Sequence, residues 1–295
     1  MPGVTAALRR LLGQGCYAAP GVFSPSVALL ARKAGFRVLY FSGAAFSSQL
    51  GLPDLGVTTL SEVARAVHEI TSVVSLPLIV DVDTGFGEAV NVARTVSELI
   101  AAGAAAVQIE DQVMPKRCGH LDGKEVVEVE EMMKKLVTAR ESAAGRLAIV
   151  ARTDARAVEG IDGAISRARS YERAGVDMIF PEALESREEF AEFRRKVRTP
   201  LMANMTEFGK SPYTSVDEFG DMGYSIVVFP VTAFRAAMKT IAEVFARLKR
   251  EGTQSGMLDS LMTRKEFYKL IRYQDYEGLD RRALSKAKRL RGRSA

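Results

Sequence analysis

At 295 residues, 47% hydrophobic and 26% charged, the chain is long enough to bury one large core, and no Pro/Gly/Ser-rich linker divides it, so a single domain is expected. Its net charge of +5 is concentrated at one end: Arg281, Arg282, Lys286, Lys288, Arg289, Arg291 and Arg293 fall in the last fifteen residues, and without these seven the charge is −2. With no tryptophan and 7% aromatics, that reads as a solvated helix end rather than a nucleic-acid arm. Apolar runs at 147–151 and 226–229 fall far short of the roughly 20 residues of a membrane span. The start, with Arg9-Arg10 and no long apolar stretch, lacks the pattern of a secretory signal. Two cysteines make no disulfide framework, so a cytoplasmic protein without membrane partners is expected.

Taken in chain order, short apolar runs at 15–18, 37–41, 78–82, 105–109, 147–151, 176–180, 200–203 and 225–229 alternate with longer stretches of helical spacing. Leu60-Val63-Val67-Ile70 and Val92-Val96-Leu99-Ile100 are two of these stretches. Cys16, in the first run, reads as a small buried hydrophobe. Gly35, Pro77, Gly103, Gly175, Pro200 and Gly223 punctuate the boundaries. Eight strands, each followed by a helix, predict a (β/α)8 TIM barrel, and no Gly-x-Gly-x-x-Gly follows the first strand to favour an open dinucleotide-binding sheet. A C-terminal helical extension over about 253–295 follows, with an apolar helix expected over 258–276 that packs on its own barrel or on another subunit.

Polar residues collect just past the strands, where barrels build their sites. Ser42-Gly43-Ala44 follows the second, Asp81-Val82-Asp83 the third, Glu110-Asp111 the fourth and Arg152-Thr153-Asp154 the fifth. Pro181-Glu182, Asn204-Met205-Thr206, and Pro230 with Arg235 follow the last three. Asp81 and Asp83, two apart on a strand, are expected to point to one side and to repel unless a cation lies between them. Mg²⁺, or Mn²⁺, suits such oxygen donors, with Glu110 and Asp54 reaching it through water. Gly85 and Gly87 behind the pair would let backbone approach a ligand.

The segment Lys116-Arg117-Cys118-Gly119-His120 sets a thiol among cationic neighbours that favour its thiolate form. His120 is placed to tune the thiol or bind a carboxylate, whereas His68, on a helix, reads as structural. Arg152, Arg235 and Arg264, with Lys116 and Arg117, imply a small polycarboxylate substrate, because guanidinium binds carboxylate bidentately.

These motifs, with Leu52-Pro53-Asp54, Thr84-Gly85-Phe86-Gly87, Pro181-Glu182-Ala183, Asn204 to Gly209, Thr263-Arg264-Lys265-Glu266 and Tyr273-Gln274-Asp275-Tyr276, resemble the isocitrate lyase / phosphoenolpyruvate mutase superfamily. The resemblance runs from about Gly13 to Tyr276. It implies a Mg²⁺-dependent retro-Claisen lyase acting on 2-methylisocitrate and yielding pyruvate and succinate. Cys118 would be the acid that protonates the departing succinate carbanion, and Tyr40 the base for the hydroxyl proton. Ser42, Gly43, Ala44, Gly119, Arg152, Glu182, Asn204, Met205, Thr206, Arg235 and Arg264 would hold the substrate. Phe180, where isocitrate lyases carry tryptophan, would leave room for the extra methyl. It also implies a homotetramer whose last barrel helix is exchanged between neighbours. Isocitrate cleavage and a carboxyphosphonoenolpyruvate mutase-like reaction are the alternatives within the superfamily.

Overall fold

The computed structural model of the chain describes residues 3–291. Helix α1 (Val4–Leu11) precedes β1 (Tyr17–Pro20), α2 (Pro25–Lys33), β2 (Leu39–Phe41), α3 (Gly43–Gln49) and α4 (Leu60–Thr71). Then come β3 (Leu78–Asp81), α5 (Ala89–Ala101), β4 (Ala106–Glu110), α6 (Val129–Ala143), β5 (Ala148–Thr153), α7 (Arg156–Arg173) and β6 (Met178–Pro181). The barrel unit is completed by α8 (Arg187–Lys196), β7 (Met202–Asn204), α9 (Val216–Met222), β8 (Ile226–Phe229) and the start of α10 (Thr232–Glu251).

All the strands pair in parallel, β2 through β6 in one sheet and β1-β8-β7 in another. Two single bridges join the sheets, Gly21 to Tyr40 and Ile179 to Leu201, so that the eight strands follow one another round a ring of TIM-barrel type. Inside it pack Ala19, Tyr40, Ile79, Ala106, Val150, Met178, Phe180, Met202 and Ile226. Each large apolar side chain buried there contributes about 1.5–3 kcal/mol.

Helix α1 closes the end where the strands begin. Leu8 joins the core, Thr5 Oγ1 donates to the carbonyls of Ala105 and Arg146, and Ser225 Oγ donates to the carbonyl of Leu12. The opposite end, at the strand C-termini, is left for the site.

The strands start up to two residues later than the sequence pattern predicts. Cys16 precedes β1 because pairing begins only at Tyr17, whose N–H donates to the carbonyl of Ser225. The punctuating glycines Gly35, Gly103, Gly175 and Gly223 all adopt positive φ (74° to 91°), which end a helix and turn the chain toward the next strand.

By compactness the chain divides into a unit that runs to Ala237 and one that starts at Met238. The second holds most of α10, a 3-10 helix (Ser255–Ser260), α11 (Arg264–Leu270) and α12 (Tyr273–Arg291). The single helix expected over 258–276 is thus broken. Thr263 and Glu266 form a capping box that starts α11, and Arg272 at φ 56° turns the chain into α12. Of the basic tail residues, Arg293 lies outside the described residues. Among those residues no helix is long and apolar enough to cross a membrane.

Candidate active site

The loop after β4 is a stalked element rather than a free excursion. Gln112 bridges Val126 in antiparallel sense, Val113 N–H donates to Glu125 O, and Val127 N–H to Asp111 O. The Gln112 side chain clasps Arg117 at both backbone groups, 2.9 Å each way. The tip folds back through Leu121 N–H to Cys118 O. Lys124 Nζ donates to the carbonyl of Gly119 and pairs with Asp154 Oδ1 at 3.0 Å.

The Asp81 and Asp83 carboxylates converge, but not by strand alternation. β3 ends at Asp81, and Asp83 sits at φ 49°, a left-handed turn that aspartate tolerates. A Cβ placed on Gly43 would stand 3.2 Å from Asp81 Oδ2 and 3.4 Å from Asp83 Oδ1, which shows how closely the two flank that glycine. Gly43 N–H donates to Asp81 Oδ2, while Asp83 N–H and Gln108 Nε2 donate to Oδ1, each at 3.2 Å. The Lys116 ammonium lies 2.9 Å from Asp83 Oδ1 and also pairs with Asp54. Burial and the neighbouring Asp83 charge push the Asp81 carboxyl up to about 6. Glu110, buried and accepting no hydrogen bond at either oxygen, is held well above its ordinary range by burial.

On the other side, Arg152 Nε and Nη2 fork onto Asp154 at 2.9 and 3.1 Å, and the guanidinium lies 3.3 Å from Glu110, 3.7 Å from Glu182 and over the Phe180 ring. Glu182 takes Nδ2 of Asn204 at 3.0 Å and faces His120 Nε2 at 2.9 Å. The Lys210 N–H donates to His120 Nδ1 at 2.9 Å, so that nitrogen carries no proton and Nε2 holds the one offered to Glu182. The Arg152 and His120 contacts keep Glu182 below the usual carboxylate range despite burial.

A small cavity of about 80 Å³ is lined by Tyr40, Ser42, Ala44, Asp54, Asp81, Lys116, Cys118, Gly119, His120, Arg152, Phe180, Glu182, Asn204, Thr206 and Arg235. Most of the residues singled out in the sequence therefore meet in one place. Asp83 and Gly87 line a different, larger cleft of about 890 Å³ beside α4 and α5. The freedom of Gly85 serves packing, since a Cβ there would meet Val92 at 2.7 Å. Arg117 is exposed, with its guanidinium toward Asp122 O at 3.4 Å, and Met205 turns its sulfur to Thr214 N, so neither contributes to the cavity wall. Arg264 is the first residue of α11 in the second unit. Arg235 is at the cavity, held by the carbonyl of Glu207 at 2.6 Å.

Two chemical expectations change. The Cys118 thiol is shifted up rather than down, chiefly by burial, because the cationic neighbours in sequence face elsewhere: Lys116 toward Asp54 and Asp83, Arg117 toward Asp122. Tyr40 donates its proton to Gln108 Oε1 at 2.8 Å, and burial with the Asp81 charge keeps it well above 10, which makes it a hydrogen-bond donor and a poor base.

Sequence reasoning passed over Gln108, Lys124 and Lys210. It quoted Asp154 and Asp111 at strand ends without giving them a role. Asp111 takes Asp154 N–H and the Tyr171 hydroxyl and is pushed up to about 6 by burial. A second polar residue one or two places beyond each strand was the available signal for those two.

A model of the phosphoenolpyruvate phosphomutase family matches residues 8–249. The chain is 58% identical over 275 residues to a 2-methylisocitrate lyase of Aeropyrum pernix, covering 93% of this chain and 89% of that protein. It is 50% identical to a 2-methylisocitrate lyase of Bacillus subtilis, covering 89% and 87%. Its fold superposes on 2,3-dimethylmalate lyase with a TM-score of 0.90 at 33% identity, covering 96% of each chain. On phosphonopyruvate hydrolase in complex with oxalate and Mg²⁺ the TM-score is 0.87 at 32% identity, covering 96% and 99%.

Proposed function

We propose, from the premise that the chain belongs to the phosphoenolpyruvate phosphomutase family and is a carbon–carbon lyase within it, that it cleaves 2-methylisocitrate to pyruvate and succinate with the aid of a divalent cation. The observation that carries this reading is one cavity in which a protonated thiol, an Arg152–Glu182–His120 cluster and the Asp81 carboxylate share a wall.

The residues present fit a cation. At the end of β3 the buried Asp81 and Asp83 carboxylates converge on Gly43, with the buried Lys116 ammonium shared between Asp83 and Asp54. Asp83 Oδ1 is met by the Lys116 ammonium at 2.9 Å, whereas both Glu110 oxygens accept no hydrogen bond, the Arg152 guanidinium standing 3.3 Å away. Buried oxygens without donors are costly unless another partner satisfies them. Among the described residues no three His, Cys, Asp or Glu side chains form a cage. Asp81 and Asp83 would therefore hold Mg²⁺ with waters and substrate oxygens completing the shell, as that ion prefers. When bound, the ion would polarise the 2-hydroxy acid portion that becomes pyruvate.

The protein's own groups do the rest. Arg152 and Arg235, with Asn204 and Thr206 beside them at the cavity, bind and orient the substrate carboxylates. As the bond between the hydroxyl-bearing carbon and its neighbour breaks, the hydroxyl passes its proton to the Glu182 carboxylate on the cavity wall, which the Arg152 and His120 contacts keep ionised, and becomes the pyruvate carbonyl. The electron pair passes to the carbon next to a carboxylate, and Cys118 gives that carbon its proton, leaving a thiolate. A thiol kept protonated by burial is in the right state to donate.

Two free thiols support a reducing, cytoplasmic setting. The exposed apolar row Met238, Ile241, Phe245 and Leu248 on α10 supports association with further copies of the chain, for which a homotetramer is the proposed state.

The test mixes purified protein with Mg²⁺ and 2-methylisocitrate, isocitrate or phosphonopyruvate and follows 2-oxo acid release. Turnover should be highest on 2-methylisocitrate, with isocitrate slower by a factor that a methyl group accounts for, about 1–3 kcal/mol. Cys118→Ser should lower kcat by roughly 10²–10⁴-fold with the fold intact. Retention of wild-type rates would remove the proposed acid, and release from phosphonopyruvate alone would replace the lyase reading with a phosphonate hydrolase.

A further inference from the structure

The loop tip touches the barrel at several points, and they differ in kind. Lys210 Nζ pairs with Asp122, whose side chain is 90% exposed. Such a contact is screened by water and adds little. His120 meets Glu182 and the Lys210 N–H at the cavity itself. Lys124 is unlike either, because its side chain and that of its partner Asp154 are both 0% exposed. A buried ammonium needs partners for its protons, and this one has the carbonyl of Gly119 and Asp154 Oδ1.

Those two partners belong to different elements, Gly119 to the loop tip and Asp154 to the chain just past β5. Gly119 separates Cys118 from His120, and its backbone runs so close to the cluster that a Cβ would meet Glu182 Cγ at 2.4 Å and Arg152 Nη2 at 2.5 Å. Asp154 holds Arg152 by a two-bond fork and is itself fixed by its own N–H to Asp111. We propose that Lys124 is a positioning residue, a buried strut that sets the Cys118–Gly119–His120 tip and the Arg152 guanidinium at a fixed separation through the Gly119 carbonyl and the Asp154 carboxylate. Lys124 does not line the cavity, so it acts through these two groups and not on the substrate. Its effect on turnover rests on the lyase reading above; its effect on the loop does not.

The experiment labels full-length protein with iodoacetamide at fixed pH and reads Cys118 and Cys16 separately by peptide mass. In Lys124→Met, Cys118 should label at least tenfold faster than in wild type while Cys16 keeps its rate. The kcat on 2-methylisocitrate should fall by about a hundredfold, with KM changing less than tenfold. Equal acceleration of both cysteines would mean general loosening and would overturn the proposal, as would Cys118 labelling within twofold of wild type in folded protein. Faster Cys118 labelling with unchanged kcat would overturn the positioning role. If Lys124→Met does not fold, Asp154→Asn, which removes the charge facing the ammonium, is labelled in its place under the same criteria. If the wild type shows no lyase activity, the labelling alone decides whether the strut exists, and the proposed function fails separately.

Discussion

At the scale of single residues, the site is governed by burial more than by sequence neighbours. The Cys118 thiol, shifted up by burial, should react with iodoacetamide more slowly than a free cysteine at pH 7–8, gaining close to tenfold per pH unit over that range. Asp154 shows the opposite case. Its folded carboxyl lies at about 2, below the ordinary 3.8, because Arg152 and Lys124 outweigh burial. A depressed acid contributes stability that is complete above the unfolded value and lost as pH falls through the folded one. Urea midpoints of wild type and Asp154→Asn should therefore differ most above pH 4 and converge toward pH 2. Tyr171 adds a third check. Its hydroxyl is a donor to the buried Asp111 carboxylate, and Tyr171→Phe should cost about 1.5–3 kcal/mol by urea denaturation, the range for a hydrogen bond to a charged group.

At the scale of elements, the chain advertises its strands and its loop, but not what lies behind them. Each strand begins within two residues of its apolar run, because β-branched residues and positive-φ glycines are local signals. The Lys116–His120 segment stands out as a site for a related reason: a cysteine with no apolar period around it has little to pack against. Nothing comparable marks Lys124, and several pairs that fix the site join residues far apart in the chain, Gln108–Asp81 by 27 positions and Lys210–His120 by 90. Such partners are chosen by the fold and leave no periodic trace. The expected thiolate failed for the same reason, since adjacency to Lys116 and Arg117 does not fix where those side chains point. The loop's tolerance is testable at its tightest point. Gly119→Ala should lower turnover at least about a hundredfold, a misplacement effect, while leaving the thermal midpoint within a few degrees.

At the scale of the whole molecule, ring closure depends on two narrow seams. Gly21 stands at one, bridging Tyr40, and a Cβ there would lie 1.9 Å from the backbone oxygen of Pro230. The nearest atoms are all backbone of Phe229 and Pro230, which leaves no flexible side chain to yield. Gly21→Ala should cost more than about 3 kcal/mol, read as a loss of soluble folded protein or a large drop in denaturation midpoint.

The stem that pairs Gln112 with Val126 has a further consequence. Because the reactive tip is fastened to itself at its base, its contents can be exchanged with the stem in place, provided the partners that Lys116, His120 and Lys124 meet on the barrel are changed with them. A cassette of this kind gives evolution an inexpensive place to trade one chemistry for another on an unchanged scaffold, and offers the protein engineer a natural cut point for chimaeras.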